Sequence, residues 1–274
     1  LTALLFSRTL SIPYAISVRA SCIMNLKRKY AFHNYLTILL VFIYSSKIFF
    51  QSKSALNEAI SYIPFFLKKL ISKKSIIISN GINKYWLENQ YNRNEEISMK
   101  KFSILTVASI EKNKNHDLVL KAISKLNKRG YKVTYKIAGK IIDKSIFNEL
   151  KKYSFVEYLG ILNNNQLLKL YRSSDIFVML SHNETFGLVY AEAISQGLPI
   201  IYTKNQGFDG QFNDGLIGYS CDSNDYEELI SCIIRITKNY KKISGNCTEN
   251  SSKFNWKNTS DKYLAQYNKI LKSN

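Results

Sequence analysis

Acidic side chains are scarce in this 274-residue chain: 20 Asp and Glu stand against 39 Lys and Arg, a formal net charge of +19. That imbalance excludes an acidic interaction tail and points to an anionic partner, whether membrane surface, nucleic acid or phosphorylated substrate. Proline (3) and glycine (11) are also few, which excludes fibrous and low-complexity classes. The four cysteines, Cys22, Cys221, Cys232 and Cys247, form no C-x-x-C pair and have no metal-ligand spacing with His33, His116 or His182. They read as ordinary thiols of a reducing, cytoplasmic compartment, with no metal expected. The apolar stretch from Tyr35 to Phe50 is broken by Ser45, Ser46 and Lys47 and falls short of the roughly 20 residues a spanning helix needs. It is predicted to be a helix ending near Tyr44 and then a buried strand over 47–51.

Two phosphate-binding patterns are missing as well. Neither G-x-G-x-x-G nor G-x-x-x-x-G-K-[ST] occurs, so nicotinamide dehydrogenases and P-loop NTPases lose their main support. What is present is 46% apolar residues, enough for two modest α/β domains. The first 100 residues carry 14 basic and 4 acidic side chains, the remaining 174 carry 25 and 16, so positive density falls by about half along the chain. The polar, aperiodic segment 88–101 reads as a linker between them. Beyond it, strands expected at 102–107, 131–138, 156–159, 176–180 and 198–202 alternate with helices at 117–126, 145–152, 165–171 and 187–195. That alternation predicts βαβ units and a parallel, doubly wound sheet.

The segment after the 176–180 strand is the most informative. Glu184 stands at a strand's carboxyl end, Gly187 follows, and a helix carrying Glu192 begins. A helix N-terminus offers free N–H groups and partial positive charge to a phosphate or sugar oxygen. Glu184-x7-Glu192 with Phe186-Gly187, then Gly197-Leu-Pro199, resembles the E-x7-E region of retaining glycosyltransferases of family 4. Further likenesses occur in the same order along the chain. Ser79-Asn80-Gly81-Ile82 resembles the family's N-G-[IV] turn. Val107-Ala-Ser109-Ile-x3-Lys114-Asn resembles its diphosphate loop, Asp175–Ser181 its strand before E-x7-E, and Phe254 through Tyr267 its last helix.

The resemblance implies two Rossmann-like domains facing across a cleft (GT-B type), the first incomplete. These would be a partial acceptor-side domain over 1–95, a nucleotide-sugar-binding domain over 96–255, and a terminal helix over 256–274 crossing back. It implies transfer of a hexose from a nucleotide-sugar to an acceptor hydroxyl with retention, in assembly of a bacterial surface polysaccharide. No metal or other cofactor is implied, since the nucleotide-sugar is the substrate. By position, Glu192 would hold ribose hydroxyls. Glu184 and the stretch Thr185, Phe186, Gly187 and Leu188 would face the donor sugar and phosphate. Lys114 would neutralise the leaving diphosphate, beside Ser109, which stands where the family has an Arg; Lys112 and Lys204 could compensate. The partners would be donor, a sugar acceptor, free or lipid-linked, and the inner face of an anionic membrane, met by Lys27-Arg28-Lys29 and by four lysines within 65–74. Because the resemblance begins within the first domain and Leu1 is not Met, the chain is expected to bind nucleotide but transfer poorly. Alternatives are a donor-binding but inactive fragment and a basic nucleic-acid-binding protein. A glycoside hydrolase using Glu184 and Glu192 is disfavoured, because eight helical residues span about 12 Å against roughly 5–9.5 Å for such pairs.

Overall fold

The computed structural model describes residues 7, 9, 12–19, 32–93 and 95–272. The run at 1–6, Cys22 and the basic triplet 27–29 lie outside the described residues, as does the side chain of His33. Two compact units emerge: residues 1–81 with 256–274, and residues 82–255.

The first unit is built on three parallel strands, β1 (Ala15–Ser17), β2 (Lys47–Phe50) and β3 (Ser75–Ile77), in that order across the sheet. Helix α1 (Phe32–Tyr44) precedes β2, so the apolar stretch resolves into helix and strand at Ser45–Ser46, as its composition predicted. Phe42, Ile48, Phe50, Ala59 and Ile71 form the core, with α2 (Lys53–Ser61) and α3 (Phe65–Lys74) supplying the last two. Among the described residues no helix is long and apolar enough to cross a membrane.

The second unit carries six parallel strands: β4 (Lys101–Val107), β5 (Lys132–Ala138), β6 (Val156–Tyr158), β7 (Ile176–Met179), β8 (Ile200–Thr203) and β9 (Gly218–Cys221). Their order is β6-β5-β4-β7-β8-β9. The intervening helices are α4 (Lys84–Glu88), α5 (His116–Lys128), α6 (Lys144–Leu150), α7 (Asn164–Arg172), α8 (Leu188–Ser195), α9 (Tyr226–Lys238) and α10 (Tyr240–Ser251). Every residue of β7 and β8 is buried, as continuous apolar strands covered on both faces must be. Helix α5 buries Val119, Leu120, Ala122, Ile123 and Leu126 on one stripe, the helical period its sequence showed. A capping box of Asn163 and Gln166 starts α7.

The division between the units falls at Gly81–Ile82, ahead of the polar segment expected to be the linker. That segment is fixed to the second unit by side chains bonding backbone. The Arg93 guanidinium donates to the Tyr171 and Gln196 carbonyls (2.6 and 3.1 Å), and Arg172 donates to the Asn89 carbonyl (2.7 Å). Trp86, buried just before it, packs edge-on to Tyr171. Most of the segment is exposed, yet these hydrogen bonds tie it to the second unit. The last helix, α11 (Trp256–Lys272), groups with the first unit, where Phe49 packs edge-on to Tyr263 and Tyr267.

Candidate functional site

Progression across the six-stranded sheet reverses between β4 and β7, and open α/β sheets bind ligands outside the strands' carboxyl ends at such a point. Two loops leave the sheet there. The loop after β4 passes through a tight turn at Lys112–Lys114 and ends at Asn115, whose φ of 55° is left-handed. Asn and Gly tolerate that conformation best, which accounts for the residue type following Lys114. The loop after β7 ends at Gly187, φ 78°, where α8 begins.

These loops are stitched together. Asn183 N–H donates to the Asn113 side-chain oxygen, and the Asn113 amide returns a bond to the Asn183 carbonyl, both at 3.0 Å. His182 N–H donates to the Asn113 carbonyl at 2.9 Å. Underneath, buried His116 bonds the Ser109 carbonyl and the Tyr135 hydroxyl, each at 3.0 Å. Its burial lowers its pKa, keeping the ring neutral.

The consequence is that Lys114 Nζ lies 2.9 Å from Glu184 Oε2, with the two side chains 19% and 14% exposed. Glu184 is held from behind as well: its N–H donates to Gln206 Oε1 (3.0 Å) and its carbonyl accepts from Gly207 N–H (2.8 Å). A Cβ at Gly207 would stand 2.3 Å from Phe186 N, so this close approach requires glycine. The Thr185 amide donates to Glu184 Oε1 at 3.2 Å. Phe186 is buried against Phe208 and Phe254, so its ring is core and only its backbone borders the loop. Leu188 is 43% exposed. Among the described residues, the Gly187 and Leu188 amides have no internal acceptor. One lysine beside unclaimed amides at a helix N-terminus suits a bound oxyanion.

Glu192, one turn into α8, is largely buried and has no cationic partner among the described residues; Tyr171 Oη donates to its Oε2 at 3.2 Å. Burial pushes its carboxyl up to about 7, against the lowering effect of the Tyr171 bond. Glu184 and Glu192 therefore hold separate partners. The Ser109 hydroxyl donates to Glu111 Oε1 at 2.6 Å, while Lys112 and Lys204 are exposed. Trp86 is core, whereas Trp256 stays half exposed. Cys221, Cys232 and Cys247 are buried free thiols, and no cluster of metal-ligating residues occurs among the described residues. Asn113, His116, Tyr171 and Gln206 carry no sequence pattern of their own: each acts through contacts across the fold, which leave no spacing to detect.

Comparison with known proteins bears on this geometry. The chain is 27% identical over 180 residues to a probable sucrose-phosphate synthase of Thermosipho melanesiensis, covering 62% of this chain and 42% of that protein. It is 29% identical over 188 residues to the alpha-monoglucosyldiacylglycerol synthase of Acholeplasma laidlawii, covering 64% and 46%. The chain thus spans less than half the length of these curated relatives. The crystal structure of Anabaena HepE in complex with UDP and glucose superposes with a TM-score of 0.71 at 15% identity, covering 97% of this chain and 74% of that one. That likeness identifies the fold as α/β with parallel sheets, as in GT-B glycosyltransferases. Residues 88–254 match the model of the family Glycosyl transferases group 1, and the chain belongs to that family.

Proposed function

We propose that the chain binds a nucleotide-sugar and takes part in transferring its hexose, with retention, to an acceptor hydroxyl in surface-polysaccharide assembly, in the manner of family 4. The observation that carries this is the Lys114–Glu184 pair at the switch point, 2.9 Å apart beside unclaimed amides of α8. Lys114 would exchange part of its contact with Glu184 for the donor's diphosphate and stabilise charge as the sugar–phosphate bond breaks, an electrostatic role needing no metal. Glu184, anchored through Gln206 and Gly207, would face the sugar. Glu192 would accept hydrogen bonds from ribose hydroxyls. HepE's complex with UDP and glucose supports a uridine donor.

An anionic membrane is the proposed location, through α3. Phe65, Phe66 and Leu70 are 87%, 74% and 39% exposed, on the same side as Lys69 and Lys73. Lys74 turns inward to the Ile43 carbonyl and Lys68 is half-buried, so two of the four lysines in this helix, Lys69 and Lys73, are exposed. Calorimetric titration with UDP, GDP and ADP tests the donor assignment. Glu192→Ala is expected to weaken binding of the cognate nucleotide by about 1.5–3 kcal/mol; unchanged affinity in a folded variant overturns the ribose role.

A further inference from the structure

The first unit has its own carboxyl edge. The β1–β2 ladder runs one residue past β1, with Val18 N–H donating to the Phe49 carbonyl at 2.8 Å. Ile78 N–H likewise donates to the Phe50 carbonyl at 2.8 Å beyond β3. Three polar residues leave the sheet together at this edge: Arg19 after β1, Gln51 after β2 and Asn80 after β3. Arg19 Nη1 donates to Asn80 Oδ1 at 3.1 Å, and the Asn80 and Gln51 carboxamides pair at 3.1 Å. Gln51 is buried, Asn80 half-buried and Arg19 exposed.

The turn bearing Asn80 is fixed from the other side. The Thr259 hydroxyl donates to the Ser79 carbonyl at 3.1 Å. A Cβ at Gly81 would come within 2.7 Å of the Trp256 ring and 2.9 Å of its Cα, so the Asn-Gly sequence lets the turn lie flat on α11. The guanidinium is thereby held by the Asn80 carboxamide, with the Gln51 carboxamide oxygen turned to its Nε and Nη1, rather than by a carboxylate. Among the described residues Arg19 makes no ion pair. Its unit contains 15 Lys and Arg but only two acids, Glu58 and Asp261. Positioned, solvent-facing and without a counter-charge among the described residues, the guanidinium keeps Nη2 for an oxyanion while Nε and Nη1 are taken by Gln51 and Asn80.

We infer that this edge is an anion site, where Arg19 receives the phosphate or carboxylate of an acidic saccharide. Its assignment to the acceptor rests on the proposed transferase reading; the anion site itself does not. The class of reaction supplying the acceptor would then be one that leaves a sugar phosphorylated or oxidised to its acid.

The test titrates the full chain, presaturated with UDP so that the Lys114 loop is filled, with glucose 6-phosphate, glucuronate and glucose, followed by NMR. Binding of at least one anion is expected to exceed that of glucose by tenfold or more, and which one binds names the oxyanion. Arg19→Gln should abolish that preference and Arg19→Lys should keep part of it. Asn80→Asp, which sets a carboxylate against the guanidinium, should suppress it without unfolding the chain. UDP affinity should stay within twofold in all three. Equal binding of glucose and both anions, or anion binding unchanged in Arg19→Gln, overturns the site. Failure of the unaltered chain to bind any of UDP, GDP or ADP overturns the transferase reading, and the three saccharides titrated without nucleotide then still judge the anion site.

Discussion

The two units treat charge in opposite ways. The first holds 15 basic and 2 acidic side chains in 100 residues; the second holds 24 and 18 in 174. In the second, the informative lysine already has a carboxylate 2.9 Å away in a half-buried loop pair. In the first, Arg19 is held by amides and α3 turns Lys69 and Lys73 outward beside exposed Phe65 and Phe66. A paired charge is selective, because a ligand must replace the partner's interaction to bind. Unpaired charges on a nearly acid-free unit attract any anion nearby and raise encounter rates, an effect screened by salt. The second unit is thus suited to discriminating one small ligand, and the first to meeting extended anionic ones.

The strongest way to break this contrast is at Lys114. Lys114→Gln removes the cation and leaves Glu184 without its partner. Donor turnover should fall by about 10²–10³-fold, the scale for losing one group that stabilises developing charge. Lys68→Gln and Lys69→Gln should leave turnover with a soluble acceptor unchanged. Equal losses in both sets, measured on the same acceptor, would remove the distinction between the units.

Glu192 sharpens it through pH. Its folded-state pKa, about 7, lies above the ordinary carboxylate value. The folded state thus favours the protonated form, and that stability is full below about pH 4.5 and lost as pH rises through about 7. Glu192→Gln should therefore flatten the decline in thermal stability between pH 4.5 and 7, an effect on the order of 1–3 kcal/mol at pH 8. Thermal scans across this range check it, and parallel pH profiles for both proteins would remove the assigned burial effect.

Gly207→Ala tests the scaffold behind Glu184. A methyl 2.3 Å from Phe186 N must push two loops apart, a cost of about 1–3 kcal/mol. Denaturant unfolding should show the loss, and nucleotide affinity should fall with it because Glu184 loses its backing. Full stability would mean that the loop has slack.

Much of the second unit was legible in the sequence, because its signals are local. Ile176–Met179 is an uninterrupted apolar run, α5 repeats its apolar residues at helical spacing, and Glu184, Gly187 and Glu192 sit at fixed offsets around one strand-to-helix turn. What escaped was non-local or chemically ambiguous. Strand β9, Gly-Tyr-Ser-Cys, has too little apolar character to stand out. Segment 88–101 looks like linker until Arg93 finds carbonyls about 80 and 100 residues away. The Lys114–Glu184 contact joins positions 70 apart; spacing suggested each residue separately and only the sheet order brings them together. In the first unit, composition showed the excess of base but not which lysine turns inward.

The smallest expected effect concerns that outward face. Phe65 and Phe66 begin α3 just after Pro64, and Lys69, Leu70 and Lys73 continue their side of the helix, while Ile71 is buried on the other. Each lysine near an anionic leaflet contributes about 1 kcal/mol, and each phenylalanine that inserts contributes at most about 1.5–3 kcal/mol. Phe65→Ser with Phe66→Ser should lower sedimentation with phosphatidylglycerol-containing liposomes at all salt concentrations, because the lost term is apolar. Lys69→Gln with Lys73→Gln should lower it by about thirtyfold at low salt and hardly at all in 0.5 M salt, where the charges are screened within roughly 4–5 Å. The two variants thus separate insertion from attraction. If the unaltered chain sediments equally with neutral and anionic liposomes at low salt, the basic face is merely solvated, and the first unit's excess charge serves Arg19 and its surroundings instead.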